Sequence, residues 1–440
     1  MASTPVTIQT FDKLLKEFYL SQWVDQLNSM TTTWQYFRRR LVDFSGRKMI
    51  FPVRTGRNAG VGAVATSHAS ASLPTLIEAG RQRHDQASVV PRLVMGALEL
   101  SQDVIDISKN DRGAFFQAID VEMAGLVQDV AELMDRMVYG DGGGRLAFIA
   151  SGGSSVTVIP VTYIRPFFIG QRIDIWSANA SGSTLRSAGN EITAITNNAD
   201  GSGSITVGTT VATTDEDGII TTAGARPTAT TGVEWLGIDA LISNTNPPLE
   251  STFQGITRTG NSFWHSHVNT TAVLSEKTIQ QALDTTHDDS MGEVNALFAN
   301  RMTRFALYET LALDNPRRLV NTNVIQPGML SGKLEDHRPD THDYLMFDGR
   351  VPIIVDKFCP VKIDNAGATQ GKSGTMFGLD MSSVYVALVT DFKWWDGGQG
   401  TILRPSASRK FGLEAVLYTM GNLVCDAPNK NFKLPSLTIG

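Results

Sequence analysis

Cysteine is nearly missing from this chain. Only two of 440 residues carry a thiol, Cys359 and Cys425, and neither belongs to a CxxC pair, so a disulfide framework and a cysteine-built zinc site are both excluded. Both are expected as buried thiols in a reducing compartment. Charge is scarce as well. Asp, Glu, Lys and Arg make up 19% of the residues, against about a quarter in ordinary globular chains, which points to surface covered by a partner or by another copy. The charge present leans acidic, with a formal net charge of −6, and this argues against a broad basic face whose work is gripping nucleic acid. No apolar run reaches the roughly 18 to 20 residues that span a bilayer, and the start of the chain lacks the cationic-then-apolar pattern of an export signal. A soluble product, cytoplasmic when made, is therefore expected, with no membrane partner. Lysine is absent between Lys48 and Lys109, and there is no internal repeat.

Motifs that carry chemistry are equally thin. Gly60, Gly62 and Ala65 spell GxGxxA, but no helix signal follows to aim amides at a pyrophosphate. Gly371-Lys372-Ser373 resembles the end of a phosphate loop, with Gly367 one residue too close for the full spacing. His265 and His267 share one strand face, and with His337 and His342 form the set from which a metal-dependent hydrolase would be built; no acidic or cysteine partner stands at a diagnostic spacing. No GxSxG occurs. The expectation is a protein without catalytic residues, metal or cofactor.

What the chain does have is organisation. Phe11, Leu14, Leu15, Phe18, Tyr19, Trp23, Leu27 and Met30 recur at helical steps behind Thr10 as N-cap. An aromatic and basic cluster follows, Trp34, Tyr36, Phe37, Arg38, Arg39 and Arg40. A strand at Met49–Val53 leads into small residues from Thr55 to Pro74, and an extended pattern resumes over 75–100; together these predict a protruding hairpin with too little apolar surface for its own core. From Asp111 to Val138, Phe115, Ile119, Met123, Leu126, Val130, Leu133 and Met137 predict a long helix of about 40 Å with an acidic outer face, stopped by Gly140 and Gly142–Gly144. Residues 156–224 read as short strands of a compact barrel or sandwich. Helices are expected at Ser275–Thr285, Gly292–Ala299 and Arg304–Ala312, and strands at Tyr385–Thr390 and Thr401–Arg404 before the apolar run Gly412–Val424.

The order of these parts, with Tyr139-Gly140-Asp141-Gly142-Gly143-Gly144 after the helix, Phe253-Gln254-Gly255-Ile256-Thr257-Arg258 before Trp264, and Phe347-Asp348-Gly349-Arg350-Val351-Pro352 running on to Cys359-Pro360, resembles the tailed-phage major capsid proteins of the Hong Kong 97-type fold. The likeness covers nearly the whole chain. It implies an α+β subunit with an N-terminal arm at 1–46, an extended loop at 47–98, a peripheral domain at 99–156 containing a spine helix at 111–138, an inserted β-barrel-like module at 157–224, an axial domain at 225–380 and a C-terminal peripheral segment at 381–440. It further implies self-assembly into the pentamers and hexamers of an icosahedral head around nonspecifically packaged dsDNA, built in the bacterial host cytoplasm, with a portal protein as partner. An arm beginning close to Met1 leads to the expectation of a separate scaffolding protein or none, and a decoration protein is a further partner of this class. An encapsulin-like nanocompartment shell is the alternative within the same fold. Some members weld the loop to a neighbour through a lysine; the lysine-free stretch here predicts a noncovalent shell. Intersubunit contacts are expected from Arg54, Arg57, Arg81 and Arg83 on the loop to Glu122 and Asp129 on the helix, and from Arg38, Arg39 and Arg40, which favour an adjacent subunit over phosphates.

Overall fold

The structure, a computed structural model, describes residues 33–41, 47–64, 77–101, 103, 118–178, 181–199, 201–221, 228, 232–270, 273–314, 346–347, 351–363, 372–396, 404–405 and 412–439. The helix expected at 9–30 lies outside them, as do His337 and His342 and most of the loop tip. Among the described residues the chain forms two compact units. One comprises Gly96–Val130 and Trp394–Leu417; the other runs through Thr31–Met95, Ala131–Lys393 and Tyr418–Gly440.

In the smaller unit, the part of helix α1 (Ala118–Val138) up to Val130 packs on Gly96 of the strand Arg92–Ser101. The contact requires Gly96: a Cβ there would stand 2.7 Å from Val130 Cγ2 and 2.9 Å from Leu126 Cδ1, closer than real atoms approach. α1 follows the predicted four- and three-residue steps, and the expected start at Asp111 falls outside the described residues. Glycines end it, with Gly142 (φ 87°) and Gly144 (φ 74°) in the left-handed region and Asp141 Oδ1 accepting the Gly143 N–H at 2.9 Å.

The larger unit holds most of the sheet structure. Arg38–Leu41 runs parallel to Val384–Trp394, in the register Arg38↔Tyr385 to Leu41↔Leu388. Met49–Gly56 and Arg83–Val89 form the expected antiparallel hairpin. Its base is fixed by Val89, Met49 and Phe51 packing on Tyr385, Ala387 and Val424.

A six-stranded antiparallel sheet follows, in the order Arg145–Phe148, Gly218–Thr221, Arg172–Trp176, Leu185–Asn197, Gly203–Thr213, Gly153–Val161. The bridge Ile149↔Val161, with Thr162 N–H donating to Phe148 O at 3.0 Å, joins its last strand to its first and closes it into a barrel, which removes both edges. Alternation places Ile159, Ile173, Ile175, Ile192, Ile205 and Ile219 inside. The expected module start at 157 falls within one of these strands; the sheet begins at Arg145, directly after the glycine turn.

A seven-stranded mixed sheet completes the unit: His267–Val268, Phe432–Ile439, Lys372–Leu379, Ala296–Ala299, Val351–Val355, Met346–Phe347, with Val361–Ile363 also on Lys372–Leu379. After the short turn α2 (Ile238–Leu241), helices α3 (Glu276–Ser290) and α4 (Arg301–Asp314) cover it through Ile279, Ala282, Ala306 and Leu307 on Leu297, Ile353, Met376 and Leu434. Ser275 caps α3, accepting the Thr278 N–H at 3.2 Å.

Here one expectation is corrected. Gly292–Ala299 is not a helix; Ala296–Ala299 is a strand with all four residues buried. A four-residue apolar run in the middle of a sheet covered on both faces has no alternation, so its pattern matches a buried helix equally well. A second finding concerns 381–440, expected as one segment. Its strands are divided between two sheets, Val384–Trp394 beside Arg38–Leu41 and Phe432–Ile439 beside Lys372–Leu379.

Candidate assembly surfaces

The distal hairpin is a polar, cationic projection. Arg54 faces His84 across the ladder, and Arg83 pairs with Gly56 after a bulge, where its side chain lies over the missing Cβ. Beyond them Arg57 and Arg81 continue the same exposed stretch. All four arginines are exposed, and none is ion-paired among the described residues. The chains cross tightly nearer the tip, where a Cβ on Gly60 would lie 2.4 Å from the Gly80 nitrogen; glycine permits this approach and keeps the projection thin.

Glu122 and Asp129 stand two turns apart on α1, both exposed, as expected for one helix face. They belong to the smaller unit and the hairpin arginines to the larger. Arg38, Arg39 and Arg40 lie on an exposed strand at the end of its sheet's strand order. Two of them are engaged within the chain: Arg39 sits over Trp34 (5.3 Å to the ring centroid) and Arg40 over Tyr385 (4.3 Å). Such stacking contributes about 0.5–1 kcal/mol at exposed sites and leaves guanidinium N–H groups for an outside acceptor.

What anchors the hairpin was visible as a motif without its meaning. Phe253 and Ile256 bond to each other around a turn whose centre, Gln254 (φ 49°) and Gly255 (φ 82°), is left-handed throughout, the backbone of a type I′ turn. Ser88 of the hairpin donates its N–H to Gln254 O at 2.7 Å, and a Cβ on Gly255 would meet Ser88 Oγ at 2.5 Å. The Gln254 carboxamide, in the orientation that satisfies both of its partners, donates to Cys425 O (2.9 Å) and accepts from Cys425 N–H (3.0 Å). Beneath this turn Arg258 is fully buried. It donates to Trp264 O (3.2 Å), Ala240 O (2.8 Å), Thr245 O (2.7 Å) and Leu241 O, and lies 3.9 Å from the Phe253 ring centroid. Burial draws its guanidinium below the usual range, and the carbonyls hold its protons in place. Trp264 Nε1–H closes the knot on Phe253 O at 3.1 Å.

Of the four histidines singled out in the sequence, His265 and His267 lie among the described residues. His265 Nε2 bonds the Arg258 carbonyl at 2.6 Å, and burial lowers the basicity of His267. Among the described residues no group of three His, Cys, Asp or Glu side chains is arranged to hold a metal, and no helix is long and apolar enough to cross a membrane. Both thiols are buried; burial pushes Cys425 up to about 12 and Cys359 well above the ordinary thiol range.

A second buried polar cluster escaped the sequence altogether. Asp135 and Tyr139 near the end of α1, Asp356 after Val351–Val355, and Thr33 of the leading segment converge in one site. Beside it Arg136 pairs with Glu234, and Lys357 with Glu132. Trp34 packs on Trp235 (centroids 5.7 Å) and Phe37 stacks on Phe298 (6.2 Å, 13°).

The sequence matches no protein-family model and no curated protein. The architecture, in contrast, matches solved structures along nearly its full length. A chain of the cyanophage A-1(L) capsid asymmetric unit superposes with a TM-score of 0.54 at 12% identity, over 98% of this chain and 99% of that one. The capsid of a native GTA particle gives 0.51 at 9% identity, over 99% and 100%. The fold is thus that of the phage capsid subunits, a mixed, sheet-rich architecture with few helices.

Proposed function

We propose that this protein is the major shell subunit of a tailed phage, assembling with copies of itself into pentamers and hexamers of an icosahedral head. The observation that carries the reading is the end-to-end correspondence with capsid chains, which leaves almost no residue of either partner unmatched. In this reading the hairpin is the extended loop, α1 the spine, the sheet holding Val384–Trp394 the peripheral platform, the seven-stranded sheet the axial domain and the six-stranded barrel an insertion. A hairpin with a packed base and an unpaired cationic end suits a contact completed by a neighbour, because identical subunits in rings of five and six need projections that tolerate small changes of angle. Arg54, Arg57, Arg81 and Arg83 meet the acidic face of a neighbouring α1 at Glu122 and Asp129. Each exposed pair contributes roughly 0–1 kcal/mol, and closure of the shell multiplies the effect. Arg38–Arg40 supply a second contact to the adjacent subunit. A portal protein, a separate scaffold and a decoration protein are the further partners, and the acidic subunit encloses DNA without gripping it.

Electron microscopy of the expressed full-length chain tests this. Rings, tubes or closed shells are expected, with nuclease-resistant DNA in particles from infected cells. A protein that stays a compact monomer at high concentration overturns the shell reading, and shells filled with one enzyme cargo would move it to the nanocompartment alternative.

A further inference from the structure

Thr33 is tied to two buried acids at once. Its N–H and that of Trp34 donate to Asp135 Oδ1 at 3.1 and 2.9 Å. Its hydroxyl donates to Asp356 Oδ2 at 2.6 Å, which leaves the Tyr139 hydroxyl, 2.7 Å away, to donate to Thr33 Oγ1. Asp356 Oδ1 takes the Phe358 N–H at 2.8 Å. Thr33, Asp135 and Asp356 are essentially without solvent contact. Asp135 Oδ2 is also buried and receives no hydrogen bond among the described residues.

Two ionised carboxylates facing one threonine in a dry site repel each other, and an anionic oxygen buried without a donor is costly. A single proton on Asp135 Oδ2 removes both penalties, because it turns the orphan acceptor into a donor beside Asp356. The charged groups on the packed elements do not substitute for it. On α1, Arg136 is engaged by Glu234, and Glu132 by Lys357; Asp239 is held by Lys433 and Arg145. Tyr139 and Cys359 stay neutral, with burial and then the charge of Asp356 raising the pKa of each well above its ordinary value.

We propose that Asp135 and Asp356 share one proton and so form a latch that holds the segment Thr33–Phe37 on the end of α1 and releases it in alkali. Burial first, then the charge of Asp356, raises Asp135 to about 9, whereas in an opened chain it returns to the ordinary range near about 4. The closed latch therefore keeps a proton that the open one gives up. Its stability is complete below about pH 4, falls as pH rises, and levels off only above about 9, where the closed state ionises too. The inference concerns this chain's own residues and does not depend on the shell reading.

The test uses the full chain and two readouts. The infrared carbonyl stretch of a protonated carboxylic acid, distinct from that of a carboxylate, is expected at neutral pH, lost near pH 9 and missing in Asp135→Asn. Hydrogen-exchange protection of the peptide containing Thr33–Phe37, corrected for the intrinsic rate, is expected to fall by roughly tenfold per pH unit between about 6 and 9, the slope of one released proton, and to stay flat in Asp135→Asn. Should Asp135→Asn fail to fold, Asp356→Asn replaces it: the new amide gives Asp135 Oδ2 a donor, and the break in protection moves to lower pH. Absence of the protonated band at neutral pH, or the same slope in the variants as in the wild type, overturns the latch.

Discussion

Replacing Arg258 by lysine keeps the charge and removes the fork. The guanidinium serves four carbonyls, those of Trp264, Ala240, Thr245 and Leu241, and lies against the Phe253 ring. A lysine ammonium has three protons, so at least one buried carbonyl loses its donor, at about 1–3 kcal/mol. Loss of the planar contact with Phe253 adds about 0.5–2 kcal/mol. The sum, roughly 1.5–5 kcal/mol, is local, because these carbonyls belong to α2, the turn after it and the nearby Trp264. Native-state hydrogen exchange over residues 240–266 of unassembled subunits reads this opening directly. Arg258→Met, which orphans all four carbonyls, should cost at least about twice as much. Should Arg258→Lys open within about 0.5 kcal/mol of wild type, the guanidinium is not what holds this knot and the reasoning fails.

Reversing Arg57 and Arg81 to Glu should leave subunit stability unchanged within about 0.5 kcal/mol, since both are exposed, while lowering shell yield and salt resistance by light scattering; unchanged assembly removes the proposed hairpin contact. Gly237→Ala should destabilise the fold by about 1–3 kcal/mol, because a Cβ there would lie 2.3 and 2.4 Å from the Val138 and Met137 carbonyls; urea midpoints check this. Boiling assembled shells in detergent should release single chains of 47.7 kDa, and a ladder of linked subunits would contradict a noncovalent shell. Cys359 and Cys425 should resist alkylation at neutral pH until the chain unfolds, since burial holds both as thiols; labelling followed by mass spectrometry decides.

Local signals were legible where one element carried its own period. Leu126, Val130, Leu133 and Met137 announced α1, and Met49–Val53 announced one arm of the hairpin, because helix and strand periods are written within a few residues. The strand Ala296–Ala299 has the pattern of a buried helix, because complete burial erases alternation. Arg145–Phe148 carries no local sign of the β module, because its pairing with Gly218–Thr221 lies far along the chain. The buried clusters were hidden for the same reason. Thr33 meets Asp356 across 323 positions, and no periodicity within any of the three segments marks Thr33, Asp135 and Asp356 as partners. Arg258 and Trp264 were noticed together, but as a resemblance; that one is a hub of carbonyl bonds and the other its lid depends on where Ala240 and Leu241 turn.

The strand Phe432–Ile439 lies between His267–Val268 and Lys372–Leu379. On a ribosome, therefore, the seven-stranded layer cannot close until residues near 439 have emerged, and until then Lys372–Leu379 keeps an open edge. A nascent chain that has not yet yielded Phe432–Ile439 lacks the strand that joins His267–Val268 to the rest of this layer.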